Sequence, residues 1–262
     1  MTGARLAGRI ALVTGGSRGV GRAVAKRLAA EGAAVAVNYR RDAAAADEVV
    51  KAIEAEGGTA RAYAASVDDP AATAELVERV HADLGPIDLL VSNAGTASRG
   101  TAVADTVPEE YLRLLRVHTL GPLALIRAAL PGMRAAGRAD VIVISSAIVD
   151  AAPSGGAAYT MAKAAMEAAA RTLAHEERAH GVRVNVVAPG LVATEMGERL
   201  VAASVGGAIA ELDASYPFGR VARPGDVAGV VAFLASADAD YLTAQRILVD
   251  GGGPDVPIVS GG

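Results

Sequence analysis

Tyr159 and Lys163 stand four residues apart, and Ser145-Ser146 closes an apolar run so that Ser146 lies thirteen residues before Tyr159. A spacing of four puts the phenol and the ammonium on one face of a helix. A cation beside a phenol favours the phenolate and pulls its pKa down from about 10. Tyr159 is then a usable general acid or base near neutral pH. Each residue taken singly also fits a plainer role: a surface lysine, a half-buried tyrosine, a strand-end serine.

A second cluster lies near the start. Thr14 to Gly21 reads TGGSRGVG, directly after an apolar run and before a helical stretch. Gly15, Gly19 and Gly21, with Ser17, Arg18 and Val20 between them, let the backbone turn sharply and approach a pyrophosphate. The helix N-terminus then offers free N–H groups to the phosphates. A purely structural turn is the other reading, and its place between first strand and first helix weighs against it. The second strand ends Val37-Asn38-Tyr39-Arg40-Arg41. A site for NAD calls for Asp or Glu here to hold the ribose 2′-OH, and none precedes Asp42. Arg40, Arg41 and Arg18 instead suit a 2′-phosphate, so the expected cofactor is NADP(H). A solvated strand end is the alternative for Arg40 and Arg41.

The elements that must carry these residues follow from periodicity. Near-continuous apolar runs at Arg9–Val13, Ala33–Asn38, Thr59–Ala64, Ile87–Ser92, Asp140–Ser145, Val182–Val187 and Gln245–Val249 read as strands covered on both faces. Ala-rich helical stretches separate them. Asp69-Pro70 marks one helix start, and Thr106 with Glu109 fits a capping box at another. Gly32, Gly85 and Gly181 fall where helices stop. The pattern predicts an α/β fold. It is a single doubly wound, Rossmann-type domain with a mostly parallel seven-stranded sheet over residues 1–253, and 254–262 form a Gly- and Pro-rich tail. The ligand is expected at the carboxyl ends of the strands.

Of 262 residues, 52% are hydrophobic and 21% charged, enough for one large core. A net charge of −4 argues against nucleic acid as a partner. The absence of Cys removes disulfides and thiolate metal sites, and the four His show no ligand spacing, so no metal is expected. No stretch suits a membrane span, and the beginning lacks a signal peptide's apolar run, which predicts a cytoplasmic protein.

These motifs resemble the short-chain dehydrogenases/reductases. The marks are TGGSRGVG, VSNAG at 91–95, ISS at 144–146, YTMAK at 159–163, VNVVAPGLVAT at 184–194 and the late FGRVARPGDVAGVVAFLAS with LVDGG. NYRR and SRGVG make the chain most similar to the NADPH-dependent 3-oxoacyl-carrier-protein reductases. The resemblance implies reduction of a ketone to a secondary alcohol, or the reverse oxidation of an alcohol, sugar or steroid. A third reading is an inactive cofactor-binding protein. It implies that Tyr159 protonates the carbonyl oxygen, that Lys163 holds the nicotinamide ribose, and that Ser146 hydrogen-bonds the substrate oxygen. Asn93, Ala94 and Gly95 would lie along the adenosine ribose; Pro189, Gly190, Val192 and Thr194 would frame the nicotinamide. A homotetramer or homodimer, with a small-molecule carbonyl or alcohol as substrate, is also implied.

Three departures stand out. Ser66, before Val67, replaces an Asp expected to touch adenine. Thr243-Ala244-Gln245 replaces Thr-Gly-Gln. His118 occupies the fourth catalytic position, usually Asn. Pro122 follows His118 by four residues and has no N–H, so the residue 118 carbonyl loses its helical partner and a kink is expected there. An imidazole with a pKa of about 6.5 would add a titration near neutrality. The segment Glu195–Tyr216 reads as a lid, with Val149, Ala152, Pro153, Met196 and Leu200 as an apolar pocket wall.

Overall fold

A computed structural model describes residues 4–204 and 206–253. The expected tail, 254–262, lies outside the described residues. Seven strands form: β1 (Ile10–Val13), β2 (Ala34–Tyr39), β3 (Thr59–Ala64), β4 (Leu89–Ser92), β5 (Ala139–Ile144), β6 (Val182–Pro189) and β7 (Arg246–Val249). Each coincides with an expected run to within two residues at either end. Their order is β3-β2-β1-β4-β5-β6-β7, and every pairing is parallel, not merely most of them.

The strand period of two sorts the core into two layers. On β1, Ala11 and Val13 join Val24, Leu28, Val227 and Val231, which come from α1 (Gly19–Ala30) and α9 (Pro224–Ala235). Leu12 points the other way. It packs with Leu76, Leu125 and Met166 from α3 (Pro70–Asp83), α5 (Gly121–Ala135) and α7 (Ala157–Glu177). The strand order reverses between β1 and β4, so the loops leaving those strands open one crevice. The remaining helices are α2 (Ala43–Ala55), α4 (Pro108–Leu115), α6 (Ile148–Ala151) and α8 (Glu195–Ser204).

Asp69 caps α3 as expected, accepting from the Ala71 and Ala72 amides, and Gly32, Gly85 and Gly181 all take positive φ. The capping box at Thr106 and Glu109 is not formed. Val107 is the N-cap of α4, without a side-chain bond. The Thr106 hydroxyl instead donates backwards to the Thr101 and Ala102 carbonyls, at 3.0 and 2.8 Å. A 3₁₀ turn at Val103–Asp105 makes those carbonyls its nearest acceptors.

The break expected at His118 is real and has a definite form. Arg116–Leu120 is a π turn between α4 and α5, with the Gly121 amide reaching the Arg116 carbonyl. Pro122 offers no N–H to His118, and widening the turn by one residue absorbs that loss. Gly121 also has to be glycine: a Cβ there would stand 2.0 Å from the Val67 carbonyl oxygen.

The sheet's amino end is pinned by charge. Arg9 pairs with Asp88 at 3.0 Å and with Asp140 at 2.9 Å, and Arg183 reaches Asp140 at 2.6 Å. Asp140 is buried, with the two guanidinium groups as its partners, so β1, β5 and β6 share one buried ionic knot. Asp140→Ala removes the buried carboxylate shared by Arg9, which keeps only Asp88, and by the buried Arg183, which keeps only Asp240. It is expected to cost about 3 kcal/mol of unfolding free energy or more in urea titration; a loss under about 1 kcal/mol contradicts this reading of the knot.

Candidate active site

The opposite, carboxyl end of the sheet gathers the residues of interest. After β1 the chain enters its glycine turn, with Gly15 at φ +61° and Gly19 at φ +49°. A Cβ on Gly21 would meet the Gly15 carbonyl oxygen at 2.2 Å. The loop therefore closes on itself only with glycine, and α1 begins immediately against it. Arg18 is the N-cap and supplies no side-chain bond. The first-turn amides of α1 have no side-chain cap, beside a backbone stripped of Cβ atoms. That donor set fits the pyrophosphate of a dinucleotide.

Thr14, buried beneath the loop, ties β1 to the end of β4. Its hydroxyl accepts from the Asn93 and Ala94 amides at 2.9 and 3.0 Å, and the Asn93 side-chain amide donates to the Thr14 carbonyl at 2.9 Å. Asn38, expected to contact the cofactor, has its side chain committed elsewhere. It accepts from the Gly15 amide at 3.3 Å and donates to the Tyr63 and Ala65 carbonyls at 3.3 and 3.1 Å. A buried primary amide needs both its donors and its acceptor satisfied, and here the backbone does it. Asn38 is a clamp on the turn rather than an open contact. Tyr39 is half-buried against the core and Arg40 is exposed.

Arg18 does not stand free. Its guanidinium pairs with Asp42 and, at 3.4 Å, with Glu195. Asp42, outside the acidic position expected for NAD, also caps α2 through the Ala45 amide. The Ser66 hydroxyl is bonded to Asp68. The Val67 carbonyl faces Gly121. Val192 is buried, bridged to Ala222, and the Thr194 hydroxyl accepts from the Gly197 amide at 3.1 Å in the first turn of α8. Gly190 packs close to Asp250, beyond β7.

Ser146 follows the end of β5, where Lys163 of α7 reaches the strand with Tyr159 one helical turn away. The Ile148 amide donates to the Ser146 hydroxyl at 3.3 Å, and that hydroxyl lies 3.5 Å from the Pro189 carbonyl. The Lys163 ammonium donates to the Ile144 carbonyl at 2.7 Å and sits 5.7 Å from the Tyr159 ring centre. Burial governs both titrations. It pushes Tyr159 up to about 12 and Lys163 down to about 8, with Glu167 opposing the latter. The lowering expected from the lysine is not seen: burial alone moves the phenol, and it moves it up. Tyr159 stays a protonated phenol at neutral pH.

His118 is buried in the π turn. Its Nε2 lies 2.8 Å from the Thr96 carbonyl, and its ring meets Tyr159 edge-on at 5.0 Å between centres. Burial pushes its pKa down to about 3, assisted by the Lys163 charge. The near-neutral titration expected of it is therefore overturned: a ring sealed from water beside a cation stays uncharged. The segment after Glu195 is not a bare loop. It forms α8 and a 3₁₀ turn at Ile209–Ser215, joined by a small core of Val201, Ile209, Tyr216 and Val221. Met196 and Leu200 are exposed there, whereas Val149 lines a different cleft, with Glu167 and Arg246.

Thr14, Asp42, Thr96, Glu167 and Arg246 escaped sequence reasoning. Only Glu167 carried a signal, being four residues beyond Lys163 on the same helical face. Because His118 is neutral when folded and ordinary when unfolded, its contribution to stability is present above pH 6.5 and lost as pH falls toward 3. The native protein should lose about 2 kcal/mol more than His118→Asn between pH 7 and pH 5. Denaturant titrations at both pH values decide it, and equal losses contradict a buried neutral ring.

The family model described as Enoyl-(Acyl carrier protein) reductase matches residues 15–253. An uncharacterised oxidoreductase of Methylorubrum extorquens is 41% identical, over 95% of this chain and 98% of its own. Versicolorin reductase 1 of Aspergillus parasiticus is 39% identical, over 95% and 97%. The structure of a 3-oxoacyl (acyl-carrier-protein) reductase from Agrobacterium tumefaciens with NADP bound superposes with a TM-score of 0.85 at 32% identity, covering 94% of each chain. With its parallel sheet, its glycine turn and its Ser146, Tyr159 and Lys163 corner, the chain belongs to the short-chain dehydrogenase/reductase family of oxidoreductases.

Proposed function

We propose that the protein is an NADPH-dependent ketoreductase, converting a ketone of 3-oxoacyl or related type to a secondary alcohol. The observation that carries this reading is the buried Lys163 ammonium, bound to the Ile144 carbonyl two residues before Ser146 and 5.7 Å from the ring of the protonated Tyr159. The bound nicotinamide cofactor would supply the hydride. Everything else falls to the chain. The Ser146 hydroxyl donates to the carbonyl oxygen and orients it. Tyr159 delivers a proton to that oxygen as negative charge develops there. Lys163, charged below about pH 8, stabilises the tyrosinate left behind and holds the ribose hydroxyls. His118 acts through its ring contact with Tyr159 and through the opened backbone of its π turn rather than by changing charge.

A phenol held at about 12 keeps its proton at neutral pH, so Tyr159 starts in the form that donation to a carbonyl oxygen requires. The Tyr-x-x-x-Lys spacing supports a carbonyl over an enoyl substrate, because the enoyl reductases of this family space the two residues more widely. Met196 and Leu200 on α8, both exposed, support an apolar substrate. The exposed Arg40 after β2 supports NADPH, with Arg18 able to join it by exchanging Asp42 and Glu195 for the phosphate, and the NADP named for the Agrobacterium structure agrees. No helix among the described residues is long and apolar enough to cross a membrane. A homotetramer or homodimer fits the half-exposed edge strand β7, where Leu248 faces outward.

NADPH oxidation with a panel of ketones, run beside NADH, tests the reading. Tyr159→Phe should lower turnover about 10²-fold or more while NADPH affinity holds within about twofold; a variant keeping more than about a tenth of the native rate removes Tyr159 from the role. Replacing Arg18 and Arg40 together by Ala should abolish the preference for NADPH, since charge-assisted contacts to a phosphate contribute about 1.5–3 kcal/mol each. Equal efficiency of the native protein with both cofactors contradicts the assignment.

A further inference from the structure

Glu167 is a buried carboxylate for which the proton steps above have no use. It lies on α7 one turn beyond Lys163, and its side chain is 10% exposed. One oxygen accepts from the Ser145 hydroxyl. The other pairs with Nε of Arg246, on β7, at 2.9 Å. The same guanidinium pairs with Asp150 of α6 at 2.8 Å and donates to the Ser146 carbonyl at 3.3 Å. Three consecutive residues at the end of β5 are thus held by three charged side chains. Lys163 takes the Ile144 carbonyl, Glu167 the Ser145 hydroxyl and Arg246 the Ser146 carbonyl. A buried carboxylate persists only when it is paired and hydrogen-bonded, and this one meets both conditions on the strand end that carries Ser146.

We propose that Glu167 and Arg246 are positioning residues that fix the Ile144–Ser146 corner, and with it the Ser146 hydroxyl, against the substrate oxygen. The proposal rests on the ketoreductase reading of that corner. Neither residue touches the reacting atoms. Their effect is geometric, and a second effect is electrostatic. The charged and titratable groups around Lys163 are Tyr159 and Glu167 on its own helix and the neutral His118 from the π turn. Arg246 and Asp150 lie beyond Glu167. Glu167 is thus the carboxylate that favours the ammonium.

The test compares Glu167→Gln, Arg246→Met, Arg246→Lys and Tyr159→Phe, with Arg171→Met as control. Arg171 is exposed and lines the same cleft. Steady-state rates with NADPH and the best ketone of the panel are measured from pH 6 to 10, and NADPH affinity is measured by fluorescence. Glu167→Gln and Arg246→Met should each lower kcat about tenfold or more, because a reacting group misplaced by a fraction of an ångström is costly. NADPH affinity should hold within about twofold. Arg246→Lys should recover part of the rate, and Arg171→Met should match the native protein. Glu167→Gln should also move the alkaline limb of the kcat profile down by about one pH unit, and Arg246→Met should move it up. Variants that melt earlier yet keep kcat within twofold and leave the limb unmoved would overturn the proposal and make the pair purely structural. Should Glu167→Gln fail to fold, the two Arg246 variants decide by the same readouts. A Tyr159→Phe variant that stays active overturns the ketoreductase reading and the proposal with it. A dead Tyr159→Phe beside an unaffected Glu167→Gln and Arg246→Met overturns the positioning role alone.

Discussion

An ammonium taken out of water must be given oxygen atoms, and in this molecule that requirement falls on Lys163. Its charge is buried at the end of β5, where the Ile144 carbonyl receives it at 2.7 Å. That single bond locks α7 onto the strand end. Tyr159, one turn earlier on α7, is thereby held near the same strand end, its ring 5.7 Å from the ammonium. The Ala162 carbonyl, next to Lys163, accepts from the Thr119 hydroxyl at 2.8 Å, which seats the π turn on the same helix. The His118 ring then fills the space against Tyr159. Once the lysine is placed, four separated stretches of chain have little freedom left.

The two ends of the sheet are built on opposite principles. At the amino end, Arg9, Asp88, Asp140 and Arg183 interlock as alternating charges, and this end carries stability. At the carboxyl end the chain uses glycines, positive φ and a widened helical turn, each less favourable than regular structure. These features leave backbone amides and a phenol facing one crevice. The ionic knot below and the apolar layers on both faces hold that upper rim in place.

Much of this was legible in the amino-acid order. Seven apolar runs became seven strands because a parallel strand covered on both faces leaves no other pattern. The glycine turn and the shared helical face of Tyr159 and Lys163 were readable from local spacing, the roles of Ser146, Tyr159 and Lys163 only from the family resemblance, and the helix break from Pro122 alone. What escaped depends on burial and on side chains meeting across long separations. Asn38 looked like a cofactor contact, yet its amide serves the backbone of the turn. The Thr106 hydroxyl turned back to nearer carbonyls instead of capping. His118 was expected to titrate near neutrality, and nothing local in its neighbours announces a site sealed enough to hold it at about 3. Lys163 was expected to lower the Tyr159 pKa, but the cost of burying a phenolate is set by the whole cavity. Arg246 lies 100 residues from Ser146, so no spacing could reveal their contact.

In the proposed function, the corner formed by Ser146, Tyr159 and Lys163 directs reduction to a carbonyl carbon. A conjugated enone offers the protein both kinds of reducible bond in one molecule. The most direct measurement is a turnover with NADPH deuterated at the transferable C4 position, followed by NMR location of the label in the product. Deuterium on the carbinol carbon, with the double bond intact, is the predicted result. Deuterium on the former alkene carbon, with the ketone intact, would contradict the account.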